Sequence, residues 1–145
     1  MNNSFISGKK FLVGFLYLIF LLHILASIFG WYDSIKYFDS FHHFLGGAWI
    51  FLLAAFYWFR FGLATEGNKK DSFIFLLFGV SLACLFGALW EFFEFGLDQY
   101  SLIKYGVLGG NQAGLQDTMS DLFFDILGAI IAGFAYLPFL KQNRK

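Results

Sequence analysis

The sequence has one cysteine, one proline and few charged residues, and each scarcity excludes a class of protein. Cys84 stands alone, so no disulfide can form within the chain. With a single proline and no serine-rich or proline-rich stretch, we expect one compact domain over residues 1–145. Lysine and arginine together number 10, as do aspartate and glutamate, so there is no basic excess of the kind that binds nucleic acid.

Hydrophobic residues are what the chain has in excess. They make up 59% of it and aromatic residues 23%, against 14% charged residues, and the mean hydropathy is +0.65. Soluble domains carry roughly 25% charged and about 45–50% apolar residues. The composition therefore predicts an integral membrane protein.

Four apolar segments are each long enough to cross the ~30 Å hydrocarbon core as a helix, which takes roughly 20 residues. They lie approximately at 11–30, 42–62, 73–95 and 119–140. Their hydrophobicity is continuous rather than alternating, which argues against a β-barrel. We expect an all-α membrane protein, a bundle of four transmembrane helices.

The first apolar run follows Lys9 and Lys10, as it would in a secretory signal peptide. The run is long enough to span the membrane, however, and Ile28 and Gly30 make a poor cleavage site. We expect an uncleaved first helix.

Lysine and arginine segregate strongly between the two sides of these spans. One side carries Lys9, Lys10, Arg60, Lys69, Lys70, Lys141, Arg144 and Lys145. The other side carries only Lys36 and Lys104. The positive-inside rule then predicts that both termini of this multi-pass chain are cytoplasmic.

The acids and histidines gather on the opposite, extracytoplasmic side. Eight of the ten acids and all three histidines belong to this group: Asp33, Asp39, Glu91, Glu94, Asp98, Asp117, Asp121, Asp125, His23, His42 and His43. Orientation rules depend on lysine and arginine, so this clustering is independent information. Because charge at membrane depth is costly, it marks a functional site by default.

Helical spacing relates most of these groups to one another. Three sets recur within a predicted span or at its start: Asp39 with His42 and His43, Glu91 with Glu94 and Asp98, and Asp117 with Asp121 and Asp125. Residues three, four or seven positions apart lie on one face of a helix, so each set predicts a polar stripe. The first set shares a turn only if its helix begins early.

Carboxylates that face one another in a low dielectric stay ionised only beside cations. Since Lys36 and Lys104 are few, either some acids are protonated or a divalent metal ion neutralises them. Carboxylate with imidazole suits Zn, Mn or Fe, whereas all-oxygen sites suit Mg, Ca or Mn. The sequence contains no complete metal motif such as H-E-x-x-H, so the identity of the ion stays open.

Three motifs contain most of these acids: Ala88–Glu94 reads A-L-x-E-x-x-E, Asp117–Leu122 reads D-T-x-x-D-L, and Asp39–Gly47 reads D-x-x-x-H-F-x-x-G. They resemble the motifs of the YjdF-like family of bacterial inner-membrane proteins. A similar D-x-x-x-H pattern recurs in VanZ-like membrane proteins. The resemblance covers about 39–130, and it implies a polar core of Asp39, His43, Glu91, Glu94, Asp117 and Asp121. It implies a fold and a membrane location but no established reaction.

These patterns predict a metal site on the extracytoplasmic side of the membrane. The predicted ligands are Asp39, His43, Glu91, Asp117 and Asp121. Glu94 is the candidate general base, acting on water bound to the ion. Possible additional site residues are His42, Asp98, Asp125 and His23.

The leading functional hypothesis is a metal-dependent hydrolase that takes a lipid or lipid-linked substrate from the outer leaflet. Lys36 and Lys104 are too few for an arginine-rich phosphatase. A proton- or cation-coupled transporter is an alternative, but it needs a polar path to the cytoplasm, and Phe73–Phe86 offers only Ser81 and Cys84. A third possibility is a non-catalytic assembly partner whose acids serve as interhelical hydrogen bonds. The sequence indicates no oligomeric state.

Overall fold

The chain folds almost entirely into helices. The computed structural model describes the backbone of residues 3–63, 69–111 and 114–142 and the side chains of residues 8–63, 69–111 and 114–138. The helices are α1 (Asn3–Phe29), α2 (Trp31–Ser34), α3 (Phe38–Arg60), α4 (Lys69–Tyr105) and α5 (Leu115–Gln142). All but α2 are long and apolar enough to cross a membrane, which confirms the predicted all-α fold with four transmembrane helices.

The helices extend beyond the apolar segments that predict them. Relative to those segments, α1 begins eight residues earlier, at Asn3, and α3 and α5 each begin four residues earlier, at Phe38 and Leu115. Hydropathy identifies only the apolar part of a helix and does not report how far the helix continues through polar residues beyond it. At 37 residues α4 is about 55 Å long, well beyond the ~30 Å hydrocarbon core.

The connection between α4 and α5 is correspondingly shorter than the predicted segment Gln99–Gln116. Helix α4 continues to Tyr105 and stops at Gly106, whose φ of 74° is the left-handed conformation common just after a helix. The Gly106 amide donates to the Leu102 carbonyl at 3.0 Å. Residues 112 and 113 of this connection lie outside the described residues.

Part of the predicted charge segregation also falls outside the described residues. Residues 64–68, which include Glu66, and the terminal residues 143–145 belong to this part, as does the side chain of Lys141. The cytoplasmic placement of both termini therefore stays a prediction.

Helices α3, α4 and α5 form the centre of the bundle, and each packs against the other two. Helix α1 packs against α2 and α3. Two glycines bring α3 and α5 into backbone contact: a Cβ at Gly47 would overlap the Asp125 carbonyl, and one at Gly128 would overlap the Phe44 carbonyl. Small residues allow such close approach between membrane helices, where packing rather than the hydrophobic effect drives association.

The buried stripe of each central helix is polar at one end and apolar at the other. In α3 it runs from Ser40 and His43 through Gly47 to Phe51. The apolar end forms a cluster, here called the apolar cluster, of Phe51, Ala55, Phe75, Ala83 and Ala129. The polar ends of the three stripes meet at the other end of the bundle.

Replacing Gly47 or Gly128 by alanine is expected to destabilise the protein by about 1–3 kcal/mol, because the added methyl group forces α3 and α5 apart. Gly14→Ala is the matched control, since a Cβ there meets nothing within 4 Å and alanine favours a helix over glycine by about 1 kcal/mol. Thermal unfolding in detergent, followed by circular dichroism, measures all three. Equal melting temperatures for Gly47→Ala and Gly14→Ala would contradict the close packing.

Candidate functional site

The early start of α3 builds the first part of the site. Tyr37, just before the helix, has a φ of 65°, a conformation that bulky residues rarely adopt, and α3 begins at Phe38. Asp39 therefore lies in the first turn of α3, four residues before His43 and on the same face. Asp39 Oδ1 lies 3.9 Å from His43 Nε2.

His43 is the central residue of the site. Its side chain is only 4% exposed, and its Nδ1 donates to the carboxylate of Asp125 on α5 at 3.0 Å. Its Nε2 lies 3.8 Å from Glu91 Oε1 on α4, in addition to Asp39. Among the described residues, His43 Nε2 has no hydrogen-bond partner.

Two further carboxylates complete a set that we call the His43 centre. One triplet whose donor atoms all lie within 4.8 Å of one another is Asp39, His43 and Asp121, and a second is His43, Glu91 and Glu94. The His43 centre is therefore His43 with Asp39, Glu91, Glu94 and Asp121. It combines side chains from α3, α4 and α5, and four of the five predicted metal ligands belong to it.

Asp121 is held by a residue that the sequence analysis missed. Asp121 is 1% exposed, and its Oδ1 accepts a hydrogen bond from Ser40 Oγ at 2.9 Å. Ser40 Oγ also lies 3.1 Å from Ser120 Oγ. The available signal was the spacing, because Ser40 precedes His43 by three residues and so shares its helical face.

Glu94 is also positioned by a neighbour that the sequence analysis missed. The indole Nε1 of Trp90 donates to Glu94 Oε1 at 2.9 Å, across one turn of α4. Glu94 is partly buried and belongs both to the His43 centre and to the wall of a polar cavity described below. Glu94, unlike Glu91, therefore borders both the His43 centre and the polar cavity.

Asp125 lies behind His43 rather than in the His43 centre. Its carboxylate occupies space beside Gly87, where a Cβ would overlap it. Asp125 is 5% exposed and orients His43 through the bond to Nδ1. The four-residue repeat on α5 therefore gives Asp121 and Asp125 different neighbours.

His42 and His23 form a separate pair at the α1–α3 contact. His42 Nε2 donates to the Ile19 carbonyl at 3.1 Å, so His42 points away from His43 and toward α1. The rings of His23 and His42 stack with centroids 5.6 Å apart. His23 Nδ1 bonds the hydroxyl of Tyr32 at 2.7 Å, and burial raises the pKa of Tyr32, so that this hydroxyl stays protonated.

Asp98 and Asp117 lie at the edge of the site. Asp98, which is 4% exposed, accepts hydrogen bonds from the backbone nitrogen of Asn111 at 3.0 Å and from its side-chain nitrogen at 2.5 Å. It therefore anchors the α4–α5 connection. Asp117, a predicted metal ligand, is partly buried in the first turn of α5 and belongs to neither triplet of the His43 centre.

A polar cavity of about 770 Å³ opens at this end of the bundle. Its wall includes Asp39 and Glu94 of the His43 centre, together with Asp117 and Asn111. Lys36 also lines it, with its ammonium 4.7 Å from the ring centroid of Tyr37. The volume falls within the range of about 300–1,000 Å³ that is typical of small-molecule sites. Because Asp39 and Glu94 form part of its wall, the cavity borders the His43 centre.

The residues of this site lie inside a region that matches a known family. The model of the family described as "Predicted membrane protein (DUF2238)" matches residues 6–142. The chain belongs to this family. Its membership agrees with the resemblance to YjdF-like membrane proteins, and the protein is an integral membrane protein with several spanning helices.

A relative from Thermotoga maritima, named "Uncharacterized protein", is 31% identical over 116 residues. The aligned region covers 76% of this chain and 53% of the relative, so the chain spans about half the length of that protein. No solved structure matches the chain. The comparisons thus supply the family, and the site has to be interpreted from its own geometry.

Replacing Asp98 by alanine is expected to loosen the connection at Gly109–Asn111, because both bonds to Asn111 are lost. A hydrogen bond to a charged group contributes about 1.5–3 kcal/mol, so amide exchange there should accelerate roughly tenfold or more. Hydrogen exchange with mass spectrometry measures this effect. Asn111→Ala keeps the backbone bond and should have a smaller effect, and Asp33→Ala on the exposed face of α2 should have none. Unchanged exchange in Asp98→Ala would contradict the anchoring role.

Proposed function

We propose that the protein is a membrane-embedded, metal-dependent enzyme whose divalent ion binds at the His43 centre. The observation that carries the proposal is His43 Nε2, a buried nitrogen without a hydrogen-bond partner among the described residues that faces Glu91 and Asp39. Leaving such a group unsatisfied costs about 1–3 kcal/mol. A metal ion would satisfy this nitrogen and the facing carboxylates together.

The other side of the imidazole supports the same interpretation. Histidines that bind metals almost always donate their second ring N–H to a carboxylate or a carbonyl, which fixes the tautomer and the orientation of the ring. His43 makes such a bond from Nδ1 to Asp125. With Asp125 ionised, this bond leaves the lone pair on Nε2, pointing at the carboxylates of α3 and α4.

The distances are compatible with shared coordination. Nitrogen and oxygen ligands lie about 2.0–2.2 Å from zinc, so two donors on one ion are separated by no more than about 4.4 Å. The distances from His43 Nε2 to Glu91 Oε1 and Asp39 Oδ1, 3.8 and 3.9 Å, satisfy this limit. Asp121 lies within 4.8 Å of Asp39 and His43 and could complete the coordination after a small movement.

The charge balance favours an ion over an ion-free network. Five carboxylates surround one imidazole, namely Asp39, Glu91, Glu94, Asp121 and Asp125. Like charges this close cannot all stay ionised in a low dielectric without cations. A mixed set of imidazole and carboxylate suits Zn, Mn or Fe, and the oxygen-rich part also suits Mg.

Glu94 is the group best placed for proton transfer. It borders the polar cavity, and its orientation is fixed by the bond from Trp90. When bound, the ion would polarise a substrate carbonyl or phosphoryl group and acidify water at the centre. Glu94 would accept the proton as general base, and Asp39, Glu91 and His43 would hold the ion. Since the cavity adjoins membrane-spanning helices, the substrate proposed is a lipid or lipid-linked molecule, approached from the extracytoplasmic side.

The rest of the bundle supports an enzyme rather than a transporter. A proton or cation pathway needs polar groups on both sides of the site. In the described part of the chain, the next buried layer beyond the His43 centre is the apolar cluster, in which the Phe51 and Phe75 rings pack edge to face at 5.4 Å. A network that served only to join helices would provide a hydrogen-bond partner for His43 Nε2. Because this nitrogen has no such partner among the described residues, the assembly-partner alternative is also disfavoured.

His43→Gln, Glu91→Gln and Asp121→Asn are each expected to abolish stoichiometric metal binding by the purified protein, because each removes a donor of the centre. Asp125→Asn should weaken metal affinity by about 10–100-fold, since it changes only the group that orients the imidazole. Elemental analysis after equilibration with Zn, Mn, Fe or Mg measures these effects.

Asp98→Asn is the matched control for metal binding. Asp98 is as buried as Glu91 and lies on the same helix, but its carboxylate contacts Asn111. The control should keep the metal content of the unmodified protein. An unmodified protein that stays folded and metal-free under metal-replete conditions would overturn the proposal.

Glu94→Gln is expected to keep the metal but to lower turnover by about 10²–10⁴-fold, the usual contribution of a general base. The measurement is mass-spectrometric detection of products after the protein is incubated in vesicles of a total bacterial lipid extract. Asp98→Asn should retain turnover. If Glu94→Gln turns over lipid as fast as the unmodified protein, Glu94 is not the base.

A further inference from the structure

A second cavity, of about 440 Å³, lies between α1 and α4 with α3 as its floor. We call it the apolar slot. Its apolar wall includes Leu16, Ile19 and Phe20 of α1, Trp49 and Ile50 of α3, and Phe86 of α4. The apolar slot shares only three lining residues with the polar cavity.

The apolar slot is bounded by two helices that do not pack against each other. In the described residues, α1 packs against α2 and α3 and makes no close backbone approach to α4 or α5. Both α1 and α4 are membrane-spanning helices, so the medium that surrounds them at this depth is lipid hydrocarbon. The slot therefore faces hydrocarbon rather than water.

Three residues line both cavities, so the apolar slot lies directly beside the polar cavity. They are His23, His42 and Trp90. His43 and Asp125 form part of the slot wall as well. A molecule that filled both cavities would thus pass directly beside the His43 centre, with its polar part on one side of these residues and its apolar part on the other.

The depth of the slot matches one leaflet. At about 1.5 Å per residue, His42 lies about 6 Å from the start of α3, and Ile50 lies about 18 Å from it, close to the middle of this 23-residue helix. Half of a ~30 Å hydrocarbon core is about 15 Å. The slot therefore runs along the helices for about 12 Å, which reaches the bilayer midplane when α3 is centred in the membrane.

The width of the slot selects its occupant. A volume of 440 Å³ over about 12 Å corresponds to a channel about 7 Å across, which is narrower than the 10–12 Å diameter of a helix with its side chains. A helix of a partner or of a second copy is therefore too wide. An extended hydrocarbon chain fits.

We propose that the apolar slot holds one hydrocarbon chain of a membrane lipid whose polar headgroup occupies the polar cavity. The lipid enters sideways from the leaflet on the site's side, between α1 and α4. This inference rests on the proposed function for the reaction of the lipid, because a lipid held in this way has the bond next to its headgroup at the His43 centre. The proposed substrate class is a membrane lipid with a free alkyl or acyl chain.

Filling the slot tests the proposal. Gly46→Leu fills it from α3, where a Cβ meets only Asp125 Oδ1 at an ordinary 3.8 Å, and Leu16→Trp fills it independently from α1. Gly14→Leu is the matched control, on a position of α1 where a Cβ meets nothing within 4 Å. The proteins are reconstituted in vesicles that contain phosphatidylcholine with a diazirine in its acyl chain, and the adducts formed on irradiation are mapped by mass spectrometry.

The readout is the ratio of adducts on Ile19 and Ile50 to adducts on Phe134, which is 61% exposed on α5 and reports bulk lipid. Both slot-filling variants should lower this ratio several-fold, and Gly14→Leu should leave it unchanged. An unchanged ratio in Leu16→Trp and in a folded Gly46→Leu would overturn the proposal. Absence of adducts on Ile19 and Ile50 in the unmodified protein would overturn it also, because something other than a lipid chain would then fill the slot.

Metal analysis of the same samples separates this inference from the proposed function. If the adduct ratio falls as expected but the unmodified protein holds no metal, the slot stands and the metal-dependent enzyme fails. If metal is present and the adduct ratio does not respond to slot filling, the slot alone fails.

Discussion

One buried hydrogen bond organises the polar end of this membrane protein. His43 on α3 donates to Asp125 on α5, and this bond decides which ring nitrogen faces the carboxylates of α3 and α4. The bond is possible because the helices approach unusually closely: Gly47 packs against the Asp125 carbonyl and Gly87 beside its carboxylate. Side chains at either glycine would displace the group that orients His43. The orientation of His43 therefore depends on the close packing of the helices at these two glycines.

Buried polar and buried apolar residues lie at opposite ends of the bundle. At one end, the three central helices present Ser, His, Glu and Asp to one another, and at the other end they form the apolar cluster. Within a membrane, buried charges persist only where partners or an ion compensate them, and grouping the acids around His43 lets one imidazole or one ion serve several of them. The apolar cluster gives the central helices a stable contact that does not depend on the state of the His43 centre.

The two cavities give this site an amphiphilic shape. The polar cavity offers carboxylates, amides and one lysine, whereas the apolar slot offers aliphatic and aromatic walls, and His23, His42 and Trp90 lie at the boundary. Trp90 connects the two, because it lines both cavities and donates to Glu94. Under the proposed function, a lipid seated across this boundary would bring the bond beside its headgroup to the proposed base. The light packing of α1, whose backbone closely approaches only α2 and α3 among the described helices, would leave the lateral entrance open.

The sequence by itself determined the four membrane spans, the single end at which the acids collect and the family. Hydropathy and helical spacing depend only on residues near one another in the sequence, so they can be determined without the tertiary structure. A common side of the membrane and the family resemblance also indicated Asp39, His43, Glu91, Asp117 and Asp121 as neighbours. Only the tertiary structure decided the individual roles. The axial offset and rotation of each helix depend on glycine contacts between distant segments, and they place Asp125 against His43, leave Asp117 at the cavity wall and turn His42 toward α1. Asp98 accepts hydrogen bonds from Asn111 because α4 continues past the apolar segment. Hydropathy does not report this continuation of the helix.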